Sequence, residues 1–595
     1  MSLAASIMLA AAVWFPAADY RETPDPVASP RAKKGGVLRF NGGSAPKSFN
    51  AYIDNNSYSQ AMFSMMYSSL ITTDTETLEF VPSLASRWCV DDEAGTFTFV
   101  VDERAKWSDG EPVTALDVKW TFDEMMKPGS ETGPWKLVLG EFESPEVLDA
   151  DAGRPLQVRF VKKRNADGTL TRNWRDLLRC GTFWILPKHA FEGHEFNKLD
   201  FVGAPVGGPY RIARAEEHVE TVYERVATWW RADLPGSMGV CNFDKIVLRY
   251  YIGQENAFAA FLQRKIDVYP VYSARIMATE TFGRRFSHNW VVKRRVFNHE
   301  PVGFQGFAMN MRRWPFDDIR VRKAMSKLVD REFMNRTMMY NEYFLQNSFF
   351  GALYDEEHQC TNPLYLFDFD GARSLLEEAG FVRNAETGRL EKDGRPFVFT
   401  FLSRDKSNDK FLSHFNSKLV DLGIEMKIER KDFAGWMRDM DSFNFDMTWQ
   451  SWGASLFPSP ETMWKSSEAD RKQSNNTVGF KSAEVDRLIE AEKTMPSPAE
   501  REDVYREIDR LAVAECPYVF LWNTNQKRLL YWNKFGVPDT VISRYGNECD
   551  ALTYWWYDKD RVEELDEAVK GGKYLPSVKE EVRYDEVMKS RRERN

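Results

Sequence analysis

The residues able to do covalent or metal chemistry are few and badly spaced for it. Seven histidines serve 595 residues, and only His189 and His194 stand close together. At that spacing they fall on different faces of a helix, which suits neither a metal pair nor a proton relay. Six cysteines follow: Cys89, Cys180, Cys241, Cys360, Cys516 and Cys549. The nearest in sequence, Cys516 and Cys549, are 33 residues apart, so CxxC metal or redox spacing does not occur. There is no HExxH, no GxSxG, no Walker A loop and no dinucleotide glycine fingerprint. Asp and Glu total 89, yet no carboxylate pair stands out from ordinary surface charge. The expectation is a chain with no catalytic residues, no cofactor and no metal.

What the composition supplies instead is aromatic surface. With 19 Trp and 42 Phe, aromatics reach 14%, which either fills large cores or lines a cleft for an organic ligand. A net charge of -9 lacks the basic stripe of a nucleic-acid binder. The length calls for at least two domains. Leu3 to Phe15 is apolar and uncharged, too short to span a bilayer but long enough for the core of a secretory signal. Residues 1–18 are therefore expected to be a signal peptide, and the protein to be exported. No cysteine lies just after that segment, which favours a soluble periplasmic protein over a lipoprotein. Residues 19–34, rich in Pro and charge, are expected to form a flexible lead-in.

The elements that must position any site alternate between strand and helix. Thr96 to Val101 has the period of a half-buried strand, and Ala61 to Leu70 the apolar spacing of a helix. Thr114 is placed to cap a helix, with Asp117 at its third position. Val219 to Val226 and Phe243 to Tyr251 read as strands, and Asn256 to Arg264 as a helix. Farther on, helices are expected over Val321 to Leu328, over Asp370 to Ala379 stopped by Gly380, and over Phe411 to Leu422 stopped by Gly423. The strands Phe397 to Leu402 and Ile424 to Glu429 alternate with them, so the fold class is α/β. Past Tyr557 aromatics thin out, and residues 557–595 read as a charged, solvated tail.

Several stretches resemble one known family. Ala85-Ser86-Arg87-Trp88, the strand Thr96 to Phe99, Lys106-Trp107-Ser108-Asp109-Gly110 and Thr114-Ala115-Leu116-Asp117-Val118 lie within Leu84 to Met126. They resemble the signature of the family 5 extracellular solute-binding proteins, the peptide, nickel and oligosaccharide receptors of ABC importers. Gly207-Gly208-Pro209-Tyr210, Phe316 to Ala324 and Ala372 to Gly380 continue the match in order. Ala308-Met309-Asn310-Met311-Arg312-Arg313, Phe333 to Phe349, Phe445 to Leu456, Gly479 to Ile489 and Tyr531 to Gly536 are most similar to the oligopeptide and microcin C receptors. Physically these motifs read as scaffold. Trp88 and Trp107 anchor cores, Asp109-Gly110 makes a tight turn, and Gly207-Gly208 lets two backbones pass closely.

The resemblance implies a two-lobed periplasmic-binding-protein-like fold with an extra domain and a ligand cleft between the lobes. Lobe one would comprise residues 35–80, 205–300 and 520–556, the extra domain 81–204, and lobe two 301–519. In peptide-binding relatives a Trp-x-x-Asp loop lines the cleft, its Asp holding the peptide ammonium. Here the matching loop is Trp452-Gly453-Ala454-Ser455, and Ser455 cannot make that charge-assisted bond. Asn56 and Tyr58 match a loop that enters the cleft. Arg404, after the second-lobe strand, could meet a ligand carboxylate bidentately. Trp184 and Asn310 are cleft candidates by position alone. The function so implied is capture of a peptide-like solute by lobe closure and its delivery, by a monomer, to an ABC permease, with no role for nucleic acid. The alternatives are a binding protein for an oligosaccharide or chelated metal, and an exported hydrolase on the same scaffold.

Overall fold

The computed structural model describes residues 13–17, 20–54, 56–355, 358–404, 406–495 and 497–593. The chain divides into two compact units. The first comprises Met1–Ser273, Thr281–Asn298 and Lys527–Asn595; the second, Ala274–Glu280 and His299–Gln526.

The first unit is built on an eight-stranded mixed sheet. Its central strand, Val37–Asn41, pairs in parallel with Lys245–Arg249 and with Val268–Pro270. Leu38 and Phe40 alternate into the core with no exposure, as a half-buried strand requires. Beside it lies a five-stranded antiparallel sheet that contains Ala85–Asp91, Thr96–Val101 and Gln157–Val161. The helix Ala115–Met126 starts where the capping residues predict. The Asp117 carboxylate accepts from the Thr114 N–H at 2.8 Å and its hydroxyl at 3.0 Å. The helix expected over Ala61 to Leu70 starts earlier, at Ser57–Met66, because Asn56 caps it by accepting from the Ser59 N–H.

Trp88 and Trp107 are core residues, 4% and 2% exposed. Gly110 closes the turn after Trp107 with φ 97°, and its N–H donates to the Trp107 carbonyl at 3.0 Å. A Cβ at Gly208 would stand 2.2 Å from the Met65 carbonyl oxygen, which is the close backbone passage expected there.

Two expectations for this unit are corrected. The lead-in is packed, not free. Val27 is fully buried, Asp25 accepts from the Tyr554 hydroxyl at 3.0 Å, and Arg231 bridges to Glu22 at 2.6 Å. The charged tail is not a solvated appendage either. Glu581–Arg583 adds in parallel to the edge strand Val291–Phe297, and Leu565, Ala568, Val582 and Tyr584 are buried. A few apolar residues at the right spacing dock a segment whose composition is dominated by charge. Of the segment read as a signal, residues 1–12 and 18 lie outside the described residues. Trp14–Phe15 pairs with Trp88 and Cys89. All six cysteines are unpaired. Among the described residues no helix is long and apolar enough to cross a membrane.

The second unit holds a five-stranded sheet in the order Glu425–Arg430, Val398–Ser403, Met447–Trp452, Phe304–Met309, Tyr518–Phe520. The first three run parallel, and the last two pairings are antiparallel. Period-two alternation sends Phe307, Met309, Phe399, Phe401, Met447 and Val519 to one cluster and Phe304, Ala308, Leu402, Tyr518 and Phe520 to another. The helices Ile319–Leu328, Phe369–Glu378 and Asp409–Leu422 cover the first cluster, and Ala483–Glu492 and Pro498–Ala514 the second. A boundary at 519 would cut the strand Tyr518–Phe520, so the unit runs on to Gln526.

Candidate functional site

In the second unit a pocket of about 210 Å³ opens at the carboxyl ends of the parallel strands Val398–Ser403 and Met447–Trp452. That end of an α/β sheet is where loops converge and ligands bind. The walls are Phe401, Leu402, Leu412, Trp436 and Trp449; Gln305, Ser403, Arg404, Asn408, Thr448 and Ser451 bring the polar atoms. A larger pocket of about 440 Å³ lies between the helix Phe369–Glu378 and the hairpin that follows it. Its arginines are already engaged, Arg373 with Asp370 and Arg383 with the Gly388 carbonyl. The smaller pocket therefore has the better chemistry for a solute.

Arg404 is its distinguishing group. The side chain leaves the strand end and lays its guanidinium over Trp436 at 4.5 Å, with Phe433 at 5.6 Å. Stacking holds the planar fork in place while leaving its N–H edges open. Among the described residues Arg404 has no ion-pair partner. Trp436 is itself fixed: its indole N–H donates to Thr448 Oγ1 at 3.0 Å, and the Thr448 hydroxyl donates to the Leu402 carbonyl at 2.8 Å. Opposite, the Trp449 indole N–H donates to Gln305 Oε1 at 3.2 Å, and the Gln305 amide donates to the Trp522 carbonyl at 2.7 Å. The pocket is thus pre-organised, with the Arg404 guanidinium on an aromatic platform.

The other candidates from the sequence scatter. Trp452 ends the strand beside the pocket but packs its ring against the second cluster, its indole N–H donating to the Tyr518 hydroxyl at 3.2 Å. Ser455 is exposed, and its hydroxyl oxygen accepts from the Phe457 N–H at 3.2 Å, closing a local turn. Asn310 is corrected. It is fully buried, its amide donating to the carbonyls of Phe443 and Phe445 at 3.0 and 2.9 Å. Its oxygen accepts from Arg312 Nη1 at 3.0 Å, so no ligand reaches it. Burial pushes the Arg312 guanidinium down to about 10.

In the first unit, Trp184 sits among Tyr52, Phe63 and Trp135 at ring distances of 5.7, 5.2 and 6.0 Å. Its carbonyl accepts from the Tyr52 hydroxyl, and it too is packing. Asn56 is spent on the helix cap. Tyr58, two residues on, points its hydroxyl at Tyr272 at 3.0 Å. Sequence reasoning missed Gln305, Trp436 and Trp449. The only signal for Trp449 was its place in the Phe445 to Leu456 stretch, where Trp452 drew attention first. Among the described residues no group of His, Cys, Asp and Glu is placed to hold a metal ion.

Comparison with known proteins agrees with this geometry. Residues 79–474 match the family described as bacterial extracellular solute-binding proteins, family 5 Middle. The peptidoglycan-binding protein YepA of Agrobacterium fabrum is 28% identical over 591 residues, covering 91% of this chain and 92% of that protein. Two solved structures share the fold. The oligopeptide-binding protein AppA of Bacillus subtilis, in complex with a nonapeptide, has TM-score 0.65 and 20% identity, covering 89% of this chain and 100% of its own. NikA of Brucella suis, in complex with Fe(III)-EDTA, has TM-score 0.68 and 19% identity, covering 87% and 99%. A sheet-end pocket with fixed aromatic walls and a family match across two thirds of the sequence lead to one assignment: the chain belongs to the bacterial extracellular solute-binding proteins of family 5.

Proposed function

We propose that this protein is the periplasmic receptor of an ABC importer and captures peptide-like solutes, with Arg404 holding a ligand carboxylate. The observation that carries the reading is the stacked guanidinium with no ion-pair partner among the described residues, set in a pre-organised pocket. Arg offers a planar, bidentate match to a carboxylate, and charge-assisted bonds of this kind are among the strongest polar contacts. Among the described residues the polar groups lining the pocket are amides, hydroxyls, indoles and the Arg404 guanidinium, all of them suited to binding. Lobe closure on the captured solute, driven by higher affinity for the closed state, needs no covalent chemistry.

AppA is solved with a nonapeptide and YepA is named for peptidoglycan, and both ligand types offer carboxylates. NikA holds an EDTA chelate, whose carboxylates suit the same guanidinium, so a chelated metal is the second reading. The test is thermal unfolding with random-sequence peptide pools of three to nine residues, with Fe(III)-EDTA, and with oligosaccharides. Stabilisation by peptides bearing a free carboxyl terminus, weakened by C-terminal amidation, supports the proposal. Stabilisation by Fe(III)-EDTA or by sugars alone overturns the solute class.

A further inference from the structure

The larger pocket of the second unit, about 440 Å³, shares no lining residue with the pocket of Arg404. Its size and its mixture of apolar walls with a few charged groups are those of a small-molecule site. The helix Phe369–Glu378 contributes Phe369, Arg373, Leu376 and Glu377, whose spacing places them on one helical face. Gly380, at φ 89°, stops that helix, and Phe381 and Leu390 follow as buried walls. The end of the helix Asp409–Leu422 closes the third side with Leu422, also buried. Val382 lines the same pocket at 70% exposure, an apolar surface whose covering by a ligand is favourable.

Four of the lining residues are charged: Arg373, Glu377, Arg383 and Asp421. The first two answer each other, with Arg373 Nε 3.8 Å from Glu377 and its Nη2 2.9 Å from Asp370. Arg383 and Asp421 are different. Arg383 Nε donates to the Gly388 carbonyl at 3.0 Å, and Nη1 donates to the Asp421 carbonyl at 3.3 Å. These bonds hold the guanidinium between the hairpin turn and the helix end, and they use only two of its five N–H donors. Among the described residues Arg383 meets no carboxylate, and the Asp421 carboxylate meets no cation. Asp421 also stands in the last turn of its helix, where no basic residue is present. The partial negative charge at that end favours a cation there.

The pocket therefore offers one open cation and one open anion, held side by side, next to buried apolar walls. We propose that it binds a small apolar zwitterion: an amino acid with an aromatic or branched side chain. The ligand's carboxylate meets Arg383, its ammonium meets Asp421, and its side chain packs on Phe369, Leu376 and Phe381. This ligand is a second molecule, distinct from the captured solute, and its site lies wholly within the second unit.

The experiment is calorimetric titration of the full chain with phenylalanine, N-acetylphenylalanine, phenylalaninamide and serine. Wild type should bind phenylalanine, and should bind each of the other three about tenfold more weakly or worse, the effect of losing one bond to a charged group or the apolar contact. Arg383→Gln and Asp421→Asn should each weaken phenylalanine by a similar factor. Because Arg383 also braces the hairpin, Val382→Trp is the second probe: it fills the pocket without altering a charge and should abolish binding. Arg404→Ala should bind phenylalanine as wild type does. Absence of binding by wild type overturns the proposal, and so does equal binding of phenylalanine and its N-acetyl or amide form. Loss of binding in Arg404→Ala, with Val382→Trp unaffected, moves the ligand to the other pocket and overturns it as well.

Discussion

Arg404 sits where a strand ends and the polypeptide turns out of the sheet, and its guanidinium lies over the Trp436 indole. Replacing it by Ala should weaken peptides with a free carboxyl terminus by about tenfold to a hundredfold, the range for a hydrogen bond to a charged group. Amidated peptides should be unaffected, as titration calorimetry with both would show. Lys at the same position keeps the charge but loses the stack and the fork, so it should recover only part of the loss. Asp550 tests a different link, from burial to stability. It is half-buried, and loss of hydration raises its carboxyl to about 6, above an unfolded value of about 3.9. The native state therefore holds the extra proton between those values. This group's contribution is fully present below about pH 4 and lost as pH rises through about 6, a total of about 3 kcal/mol. Asp550→Asn should flatten that part of the curve of melting temperature against pH. At this scale the sequence is only partly legible. Arg404 is readable because it follows an obvious strand. Asn310 misleads, because an amide that staples two buried carbonyls has the same sequence signature as one that greets a ligand. Trp436 and Gln305 become pocket residues only through tertiary closure of segments more than a hundred positions apart, which no local pattern encodes.

Elements were more legible than side chains. The strand over Thr96–Val101 has its expected ends, and Ile319–Leu328, Phe369–Glu378 and Asp409–Leu422 match their expected helices within a turn. Apolar period, caps and stop glycines are local signals, and tertiary packing here agrees with them. Gly423 takes φ 82° where Asp409–Leu422 ends, as a left-handed stop requires. The misread elements are those where charge dominates composition but a few side chains decide docking. The strand Glu581–Arg583 is one: Val582 is buried, and Tyr584, the first residue past the strand, is 2% exposed with its hydroxyl on Glu76. Removing residues 573–595 should forfeit about 3–6 kcal/mol from those two side chains, before regained chain entropy. It would also bare the edge of Val291–Phe297. Scanning calorimetry should show a lower melting temperature, and light scattering should show association through the uncovered edge. An unchanged melting temperature would mean that the strand is an ornament of the sheet.

For the whole molecule, function reduces to a difference in free energy between liganded and free states. Peptide at about 100 times its dissociation constant should stabilise the protein by about 2.7 kcal/mol, read as a rise in melting temperature that grows with ligand concentration. A peptide that raises the melting temperature of wild type and not of Arg404→Ala would tie that stabilisation to the guanidinium contact.

The order of strands in the first unit has a consequence for how such a protein is made. Its central strand, Val37–Asn41, sits beside strands from residues 245–249 and 268–270, while the far edge needs residues 527–532 and then 581–583. A ribosome delivers the first of these long before the last. Until synthesis is nearly complete the sheet lacks its final strands, and pairings of such high sequence separation form slowly. The eight-stranded sheet therefore stays open through most of synthesis, whereas the five strands of the second unit are all delivered by residue 520.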